Sequence, residues 1–341
     1  MINGKPHVLL MFEFWRYGQE HRGIACHDLY FKGSLESTGL AHISCAYFDA
    51  NRLIVNGEMH QAPDRDQMIQ ATLALCQQRR PDMILYEPVW KNQNPPSPPG
   101  ILLARLAWEL KIPMVGLLHD TGPCACDLYD VYYPMVDTVL VMDARPIPGR
   151  VPSRKFTMEL PAPYDSRIVY PIPDREKDIP VSFVGTIPGD GNREWVFDLQ
   201  RDGIPIHIVT TCRNQNPENA DGIAVTLSPD DYYALHRRSK IVLNFSGDVR
   251  KGRLFEGMLC GALVFETTKS VTSQYLSAGY DYVPYTTYGD LLDGLRYYLD
   301  HDDARQQIAR QGLETAQQKY SARAIWSRLF EIVQEKHGRF A

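Results

Sequence analysis

Three basic side chains stand where a phosphate group would be bound. Arg250, Lys251 and Arg253 follow a short apolar run at 241–245, rich in strand-forming residues, and adjoin a helix predicted over 254–260. In an open α/β sheet, ligands bind beyond the carboxyl ends of the strands. Cationic side chains and the free amides of a helix N-terminus both favour phosphate at such a place. The pattern therefore indicates an anion-binding loop between a strand and a helix.

A glycine-rich loop with an arginine behind it is a second candidate. Gly185, near the end of a strand predicted over 181–186, and Gly189 and Gly191 in the loop after it allow the backbone to turn sharply and approach a ligand. Arg193 stands at the start of the next helix, either to meet that ligand or as an ordinary surface arginine. The loop lacks the Gly-Lys-Ser/Thr ending of a Walker A motif and the spacing of the dinucleotide fingerprint, so neither of those sites is predicted.

Taken together, these stretches resemble the donor-binding half of a glycosyltransferase with the GT-B fold. The chain is most similar to the CgeB-like group within the glycosyl transferases group 1 superfamily, from about residue 160 to residue 333. The resemblance rests on SFVGTIPGDGNREWVFDL at 182–199, on SKIVLNFSGDVRKGRLFEGMLCGALVFE at 239–266, and on the stretch at 275–312. It implies an α/β chain with two Rossmann-like, doubly wound parallel-sheet domains that face a cleft.

The resemblance also implies roles for particular residues. Retaining members of the superfamily have two glutamates with seven residues between them, and Asp248 and Glu256 have that spacing here. Glu256 would accept hydrogen bonds from the ribose of a nucleotide, or would only favour the dipole of its helix. Asp248, which would orient the transferred sugar, is one methylene shorter than glutamate, and Val249-Arg250-Lys251 replaces the usual Gly-Phe-Gly. The donor-binding candidates are Gly185, Thr186, Arg193, Arg213, Ser246, Lys251, Arg253, Leu254 and Glu256.

The first half of the chain alternates predicted strands and helices, which is typical of a parallel sheet with helices on both faces. The loop after its first strand offers Gly18, Glu20, His21 and Arg22 as acceptor-side residues, or forms a solvated turn. His119 and Asp120 end a strand predicted over 113–120 and, with Asp248, are the catalytic candidates. Because adjacent residues of a strand point to opposite sides, His119 and Asp120 need not act together.

Proline-rich segments at 145–155 and 159–180 place a domain boundary near residue 160. We therefore expect an acceptor-side domain over 1–160, a nucleotide-sugar-binding domain over 161–320, and a C-terminal helix over 321–341. The resemblance implies that this last helix packs back on the first domain.

Composition excludes several other classes. The chain has 341 residues, a net charge of −5 and seven unevenly spaced cysteines, which favours neither a nucleic-acid binder nor a disulfide framework. We find no signal peptide and no apolar run that could span a membrane, and we expect a cytoplasmic protein. Asp230 and Asp231 follow Ser228-Pro229, so Ser228 is predicted to cap a helix with the two aspartates in its first turn, and no metal site is expected.

The resemblance thus implies a retaining, metal-independent glycosyltransferase of the hexosyltransferase type, with a nucleoside-diphosphate sugar as donor and no further cofactor. The acceptor, whether glycan, lipid, protein or small molecule, stays open. Two alternatives remain at this stage. One is a nucleotide-sugar epimerase or hydrolase with the same fold, and the other is a non-catalytic nucleotide-sugar-binding protein.

Overall fold

The computed structural model of the protein describes residues 4–15, 20–22, 24–25, 28–87, 98–118, 133–142, 156–187, 191–210, 227–247 and 252–338. The chain divides into two compact units. The first comprises Met1–Asp165 together with Ala322–Ala341, and the second comprises Ser166–Ser321.

Strands and helices are numbered along the chain. The strands are β1 (His7–Met11), β2 (His42–Tyr47), β3 (Arg52–Val55), β4 (Glu58–Gln61), β5 (Met83–Tyr86), β6 (Met114–Leu118), β7 (Thr138–Val141), β8 (Phe156–Glu159), β9 (Ile179–Val184), β10 (Ile206–Val209), β11 (Ser239–Asn244), β12 (Leu263–Thr267) and β13 (Val283–Tyr285). The α-helices are α1 (Ser34–Thr38), α2 (Arg65–Arg79), α3 (Gly100–Ala104), α4 (Trp195–Arg201), α5 (Pro229–Arg238), α6 (Gly252–Leu259), α7 (Tyr288–Asp300), α8 (Asp302–Tyr320) and α9 (Ala322–His337).

The first unit contains a sheet with the strand order β4-β3-β2-β1-β5-β6-β7-β8. Its core strand β1 has two buried faces, because its side chains alternate between them. Val8 and Leu10 belong to one core cluster with residues of α1 and α9, whereas Leu9 and Met11 belong to a second cluster with residues of α2 and α3. The sheet is therefore covered by helices on both sides, as the alternating pattern predicts.

Helix α9 belongs to the first unit although it lies at the far end of the chain. The indole nitrogen of Trp326 donates to the hydroxyl of Ser34 at 2.9 Å, and the Arg323 guanidinium donates to the carbonyl of Thr38 at 2.7 Å. These bonds fix α9 against α1.

An antiparallel hairpin at the edge of the first sheet is missing from the sequence prediction. Strands β3 and β4 pair through the turn at Asn56 and Gly57, whose φ angles are 53° and 81°. Two positive φ angles define the tight turn for which Asn-Gly is the preferred sequence, so the signal was present in the chain. Strand β8 was also missed, because it lies between two proline-rich segments and pairs only with β7 at the opposite edge.

The sequence over 24–38 predicts a single helix after the first strand, and the helical segment found there is shorter. Ile24 instead forms an isolated antiparallel bridge with Trp15, and the helical residues begin with a π-helical turn at Asp28–Gly33 that continues into α1. Trp15 and Ile24 are therefore paired in a bridge, and Ile24 is not part of the helix.

The second unit contains a fully parallel sheet with the order β10-β9-β11-β12-β13. Helix α6 packs tightly on this sheet at Gly257. A Cβ atom added to this glycine would lie 2.9 Å from Val264 and 3.3 Å from Val242. The predicted cap of α5 is confirmed, since the Ser228 hydroxyl accepts a hydrogen bond from the amide of Asp231. The helices thereby present their N-terminal ends toward the carboxyl edge of the strands.

Candidate anion-binding site of the second unit

The order of the second sheet defines where a ligand would bind. The connection from β9 leads to β10 on one side, whereas the chain then crosses to β11 on the other side, so the switch point lies between β9 and β11. Ligands of open α/β sheets bind in the crevice outside the carboxyl ends of the strands at such a point. The residues that follow here are Gly185 and Thr186 after β9, and Phe245 and Ser246 after β11.

Arg193 spans this switch point. It lies in a single helical turn, Asn192–Glu194, and its two terminal nitrogens reach different loops. One donates to the carbonyl of Thr186 at 2.8 Å and the other to the carbonyl of Phe245 at 3.2 Å. The side chain therefore ties together the two loops that form the crevice.

Arg253, from the first turn of α6, approaches the same loops. Its guanidinium donates to the Asn244 side-chain oxygen at 3.3 Å, and a Cβ atom added to Gly185 would lie 3.0 Å from it. The glycine of the sequence motif thus makes room for the guanidinium of Arg253. The Nε atom of Arg253 is buried and has no hydrogen-bond partner within the described ranges.

The two arginines form an unneutralised cationic pair. Burial, and then the charge of Arg253, lowers the pKa of Arg193. In the part of the chain that the structure describes, both guanidiniums donate only to neutral oxygens, and neither has a carboxylate at ion-pair distance. Two half-buried like charges repel each other, and an anion in the crevice would offset both the repulsion and the desolvation.

Glu256 is more enclosed than its sequence position suggests. Its carboxylate on α6 is only 4% exposed, and it accepts hydrogen bonds from the hydroxyls of Tyr232 and Tyr233 on α5, the latter at 3.3 Å. These tyrosine partners were not foreseen, although they stand at adjacent positions of a predicted helix. Replacing Glu256 by alanine would leave the buried Tyr233 hydroxyl without this acceptor, so glutamine is the better test substitution.

The other predicted residues fall into three groups. Ser246 is buried and bound to Glu266, while the Leu254 side chain is fully buried in the core, so its side chain is not a donor contact. Glu20 and His21 are exposed in a short helical turn, Glu20–Arg22. Several predicted positions lie outside the described residues; they are Gly18, His119, Asp120, Arg213, Asp248 and Lys251.

Sequence reasoning missed the buried acids at the carboxyl edges of both sheets. Glu266 is the penultimate residue of β12 in the second unit and is fully buried. In the first unit the switch point lies between β1 and β5, and Glu13 and Glu87, which follow these strands, are also buried. An acidic residue directly after a continuous apolar run is the sequence signal that could have identified them.

His236 on α5 lies beside this site and is fully buried. Neither ring nitrogen has a hydrogen-bond partner among the described residues, and the ring meets that of Tyr232 edge-on, with 4.6 Å between centroids. Burial, with smaller contributions from the charges of Arg253 and Lys177, lowers the pKa of His236 to about 3. The imidazole is therefore neutral in the folded protein at physiological pH.

We expect His236→Phe to reduce the loss of stability in acid. An unfolded histidine titrates near pH 6.5, so below that pH unfolding takes up a proton that the folded state does not bind. Stability therefore falls as the pH drops from about 6.5 towards 3. Between pH 7.5 and pH 5 the wild type should lose about 2 kcal/mol more than the variant. Urea unfolding at both pH values measures this, and equal losses would contradict it.

Neither a metal-binding cluster nor a membrane-spanning helix is present among the residues that the structure describes. No group of three or more His, Cys, Asp or Glu side chains is arranged to hold a metal ion there. None of the helices seen in those ranges combines the length and the apolar character that crossing a membrane requires.

The fold defines the class of protein. Two Rossmann-like parallel-sheet domains of the GT-B type match solved structures over nearly the whole chain, which confirms the predicted fold class. The sucrose-phosphate synthase of Thermosynechococcus elongatus is similar with a TM-score of 0.66 and 11% identity, covering 98% of this chain and 99% of that chain. Anabaena HepE in complex with UDP and glucose is similar with a TM-score of 0.58 and 12% identity, covering 97% of this chain and 100% of that chain. A glycosyltransferase from Rickettsia africae is similar with a TM-score of 0.57 and 10% identity, covering 98% of this chain and 100% of that chain.

A family model adds sequence-level similarity. Residues 167–331, just under half of the chain, match the model described as glycosyl transferase-like. The matched segment includes all of the second unit except its first residue, Ser166, and continues into α9. The comparison with curated proteins found no match to the chain.

Proposed function

We propose that the protein is a glycosyltransferase that moves a sugar from a nucleoside-diphosphate sugar to an acceptor, with the donor bound by the second unit. The observation that supports this best is the pair Arg193 and Arg253. Both guanidiniums stand at the switch point of the sheet, both are half-buried, and among the described residues neither is neutralised by a carboxylate. A diphosphate has the charge and the oxygen acceptors that such a pair lacks.

The arginines would also assist the chemical step. When the bond between the sugar and the diphosphate breaks, negative charge develops on the departing phosphate oxygen. Cations that are already fixed in position stabilise that charge without having to reorganise. Arg193 is fixed by two backbone carbonyls, and Arg253 is held against Gly185 and Asn244. The same residues therefore bind the donor and favour its cleavage.

The comparisons support the same donor class. The family model covers the unit that contains both arginines, and Anabaena HepE, which has this fold, was solved with UDP and glucose. We extend the proposal to a retaining, metal-independent hexosyltransferase of the CgeB-like group that acts in the cytoplasm without a further cofactor. That extension depends on the spacing of Asp248 and Glu256 and on the resemblance described above. Product anomers identified by NMR, and activity measured with a chelator present, test it.

The roles of the remaining candidates belong to the proposal too. Glu256 would accept hydrogen bonds from the ribose, and Asp248 would orient the sugar. His119 and Asp120 would act near the reacting carbon, and the acceptor would meet the loop containing Gly18, Glu20, His21 and Arg22.

A thermal-shift panel is the first test of the donor class. The panel comprises UDP, GDP, dTDP, ADP and CMP, each free and as a sugar conjugate. Because a ligand that binds only the native state stabilises it, one nucleoside diphosphate at a hundredfold excess over its Kd should add about 2.7 kcal/mol of stability. The shift should shrink in Glu256→Gln, which keeps the size of the side chain. A well-folded wild type that responds to none of these ligands would contradict the proposal.

Turnover then separates transfer from the two alternative functions. The donor identified by the panel is incubated with and without a set of glycan, lipid, peptide and small-molecule acceptors, and the products are identified by mass spectrometry. Transfer requires product that contains both sugar and acceptor. Free sugar or an epimerised donor without any acceptor indicates a hydrolase or epimerase, and binding without turnover indicates a binding protein.

A further inference from the structure

The buried carboxylate of Glu266 is connected to Arg253 through the side chain of Asn244. It occupies the carboxyl end of β12, is 0% exposed, and is surrounded by hydrogen-bond donors. One oxygen accepts from the Asn244 amide at 2.6 Å and from the Ser246 hydroxyl at 2.7 Å. The other accepts from the backbone amides of Thr267 at 2.8 Å and Ser246 at 3.4 Å. A carboxylate is needed here, because every neighbour in this set is a donor.

This network fixes the direction of the Asn244 amide. Its NH₂ group donates to Glu266 and to the Ser246 hydroxyl at 2.9 Å, so its oxygen must point the other way, toward Arg253. The backbone of Asn244 is held as well, because the Tyr285 hydroxyl donates to its carbonyl at 2.9 Å. The position of the amide therefore leaves little freedom to the guanidinium that donates to it.

We infer that Glu266 is a positioning residue, which sets the direction of the Arg253 guanidinium through the Asn244 amide. The inference deepens the proposed function, since it rests on Arg253 being a ligand of the donor diphosphate. Glu266 itself is enclosed by protein and touches no substrate. It also holds the amide and hydroxyl of Ser246, so Ser246 and, through Asn244, Arg253 in the first turn of α6 are fixed from one buried group.

The ionisation of Glu266 is consistent with this role. Burial raises the pKa of Glu266 to about 7, while the hydrogen bonds from Ser246, Thr267 and Asn244 oppose that rise. The titratable groups beside it are the phenols of Tyr282 and Tyr285, whose pKa values are raised chiefly by burial and further by Glu266. The donors thus keep a large share of this fully buried carboxyl ionised near neutral pH.

Glu266→Gln tests the inference because it keeps the shape and replaces one acceptor oxygen by a donor. An NH₂ group facing Asn244 would turn that amide around and place a second donor against Arg253. We expect the affinity for UDP, or for inorganic pyrophosphate, to fall about tenfold in calorimetric titrations. Asn244→Ala removes the link without touching Glu266 and should give a similar loss. Asp281→Asn is the matched control, since Asp281 is a buried, hydrogen-bonded carboxyl just before β13, near the amino ends of the strands and away from the carboxyl ends where Glu266 lies.

A double-mutant cycle separates positioning from general destabilisation. If Glu266 acts through Arg253, Glu266→Gln should have little further effect on affinity once Arg253→Met is present. Losses that simply add would overturn the inference, as would equal losses in Asp281→Asn.

A measurement without ligand distinguishes this inference from the proposed function. The NMR signal of the buried Arg253 Nε–H group should move in Glu266→Gln and in Asn244→Ala, but not in Asp281→Asn. If the wild type binds no diphosphate, the proposed function fails, and this signal still decides the positioning role. An unmoved signal in both Glu266→Gln and Asn244→Ala would overturn the inference.

Discussion

Arg193→Met should weaken the binding of a nucleoside diphosphate about a hundredfold. The substitution removes one of two half-buried charges from the switch point. It also removes the two hydrogen bonds that link the carbonyls of Thr186 and Phe245. Hydrogen bonds to charged groups are worth about 1.5–3 kcal/mol each, and 1.4 kcal/mol corresponds to a factor of ten in affinity. Isothermal titration with the nucleotide that raises the melting temperature measures the loss, and inorganic pyrophosphate gives the part that is due to phosphate alone.

Arg193→Lys is an informative intermediate. Lysine keeps the charge but cannot donate to both carbonyls in the planar geometry of a guanidinium, so we expect a loss smaller than that of methionine. Arg310→Met is the matched control, because Arg310 is an exposed arginine of the same unit that bonds only within its own helix. Unchanged affinity in Arg193→Met and Arg253→Met alike would remove the diphosphate from this crevice.

Lys177→Met should destabilise the second unit by about 3–4 kcal/mol. Lys177 is 4% exposed, and its ammonium group donates to the carbonyls of Arg237 at 2.8 Å, Ser239 at 3.1 Å and Cys260 at 3.0 Å. These carbonyls stand at the C-terminal ends of α5 and α6, where a cation is favourable. Burial lowers the pKa of Lys177 to about 8, so the group is still charged at pH 7. Methionine fits the space but leaves three buried carbonyls without this donor.

The second unit can be followed separately because Trp195 is the only tryptophan within 166–321. Fluorine NMR of fluorotryptophan-labelled protein during urea unfolding therefore reports this unit, even where the whole chain does not unfold in one step. Lys240→Met is the control, since Lys240 lies in the same sheet and, among the residues that the structure describes, has a single ion pair, with Asp302 at 4.0 Å. If the urea midpoint of Lys177→Met matches that of Lys240→Met, the hydrogen bonds from Lys177 to the three backbone carbonyls add no net stability.

The role of Arg193 could be predicted from the sequence only in part. Its position after a glycine-rich loop marked it as a phosphate candidate, since loop and helix start are local features. Its two carbonyl partners belong to loops separated by many residues, and only the parallel pairing of β9 with β11 brings these loops together.

Glu256 and Glu266 show the opposite case. The spacing from Asp248 identified Glu256, but its tyrosine partners depend on how α5 packs against α6, which no local pattern specifies. Glu266 was passed over because it is the penultimate residue of an apolar strand and resembles an ordinary strand terminus. Its importance depends on the four donors that the fold gathers around it.

The sequence by itself determined the elements whose signals are local: the alternation of strands and helices, the Ser228 cap, and the two strand-to-helix connections that precede Arg193 and Arg253. Backbone sterics and short-range hydrogen bonds act over a few residues, so a chain read in order reveals them. The tertiary structure alone decided the edge hairpin's place in the sheet, the packing of α9 on the first unit, and the buried network that joins Glu266 to Arg253. These features depend on strand order and on burial, which bring distant residues together and remove water from between them.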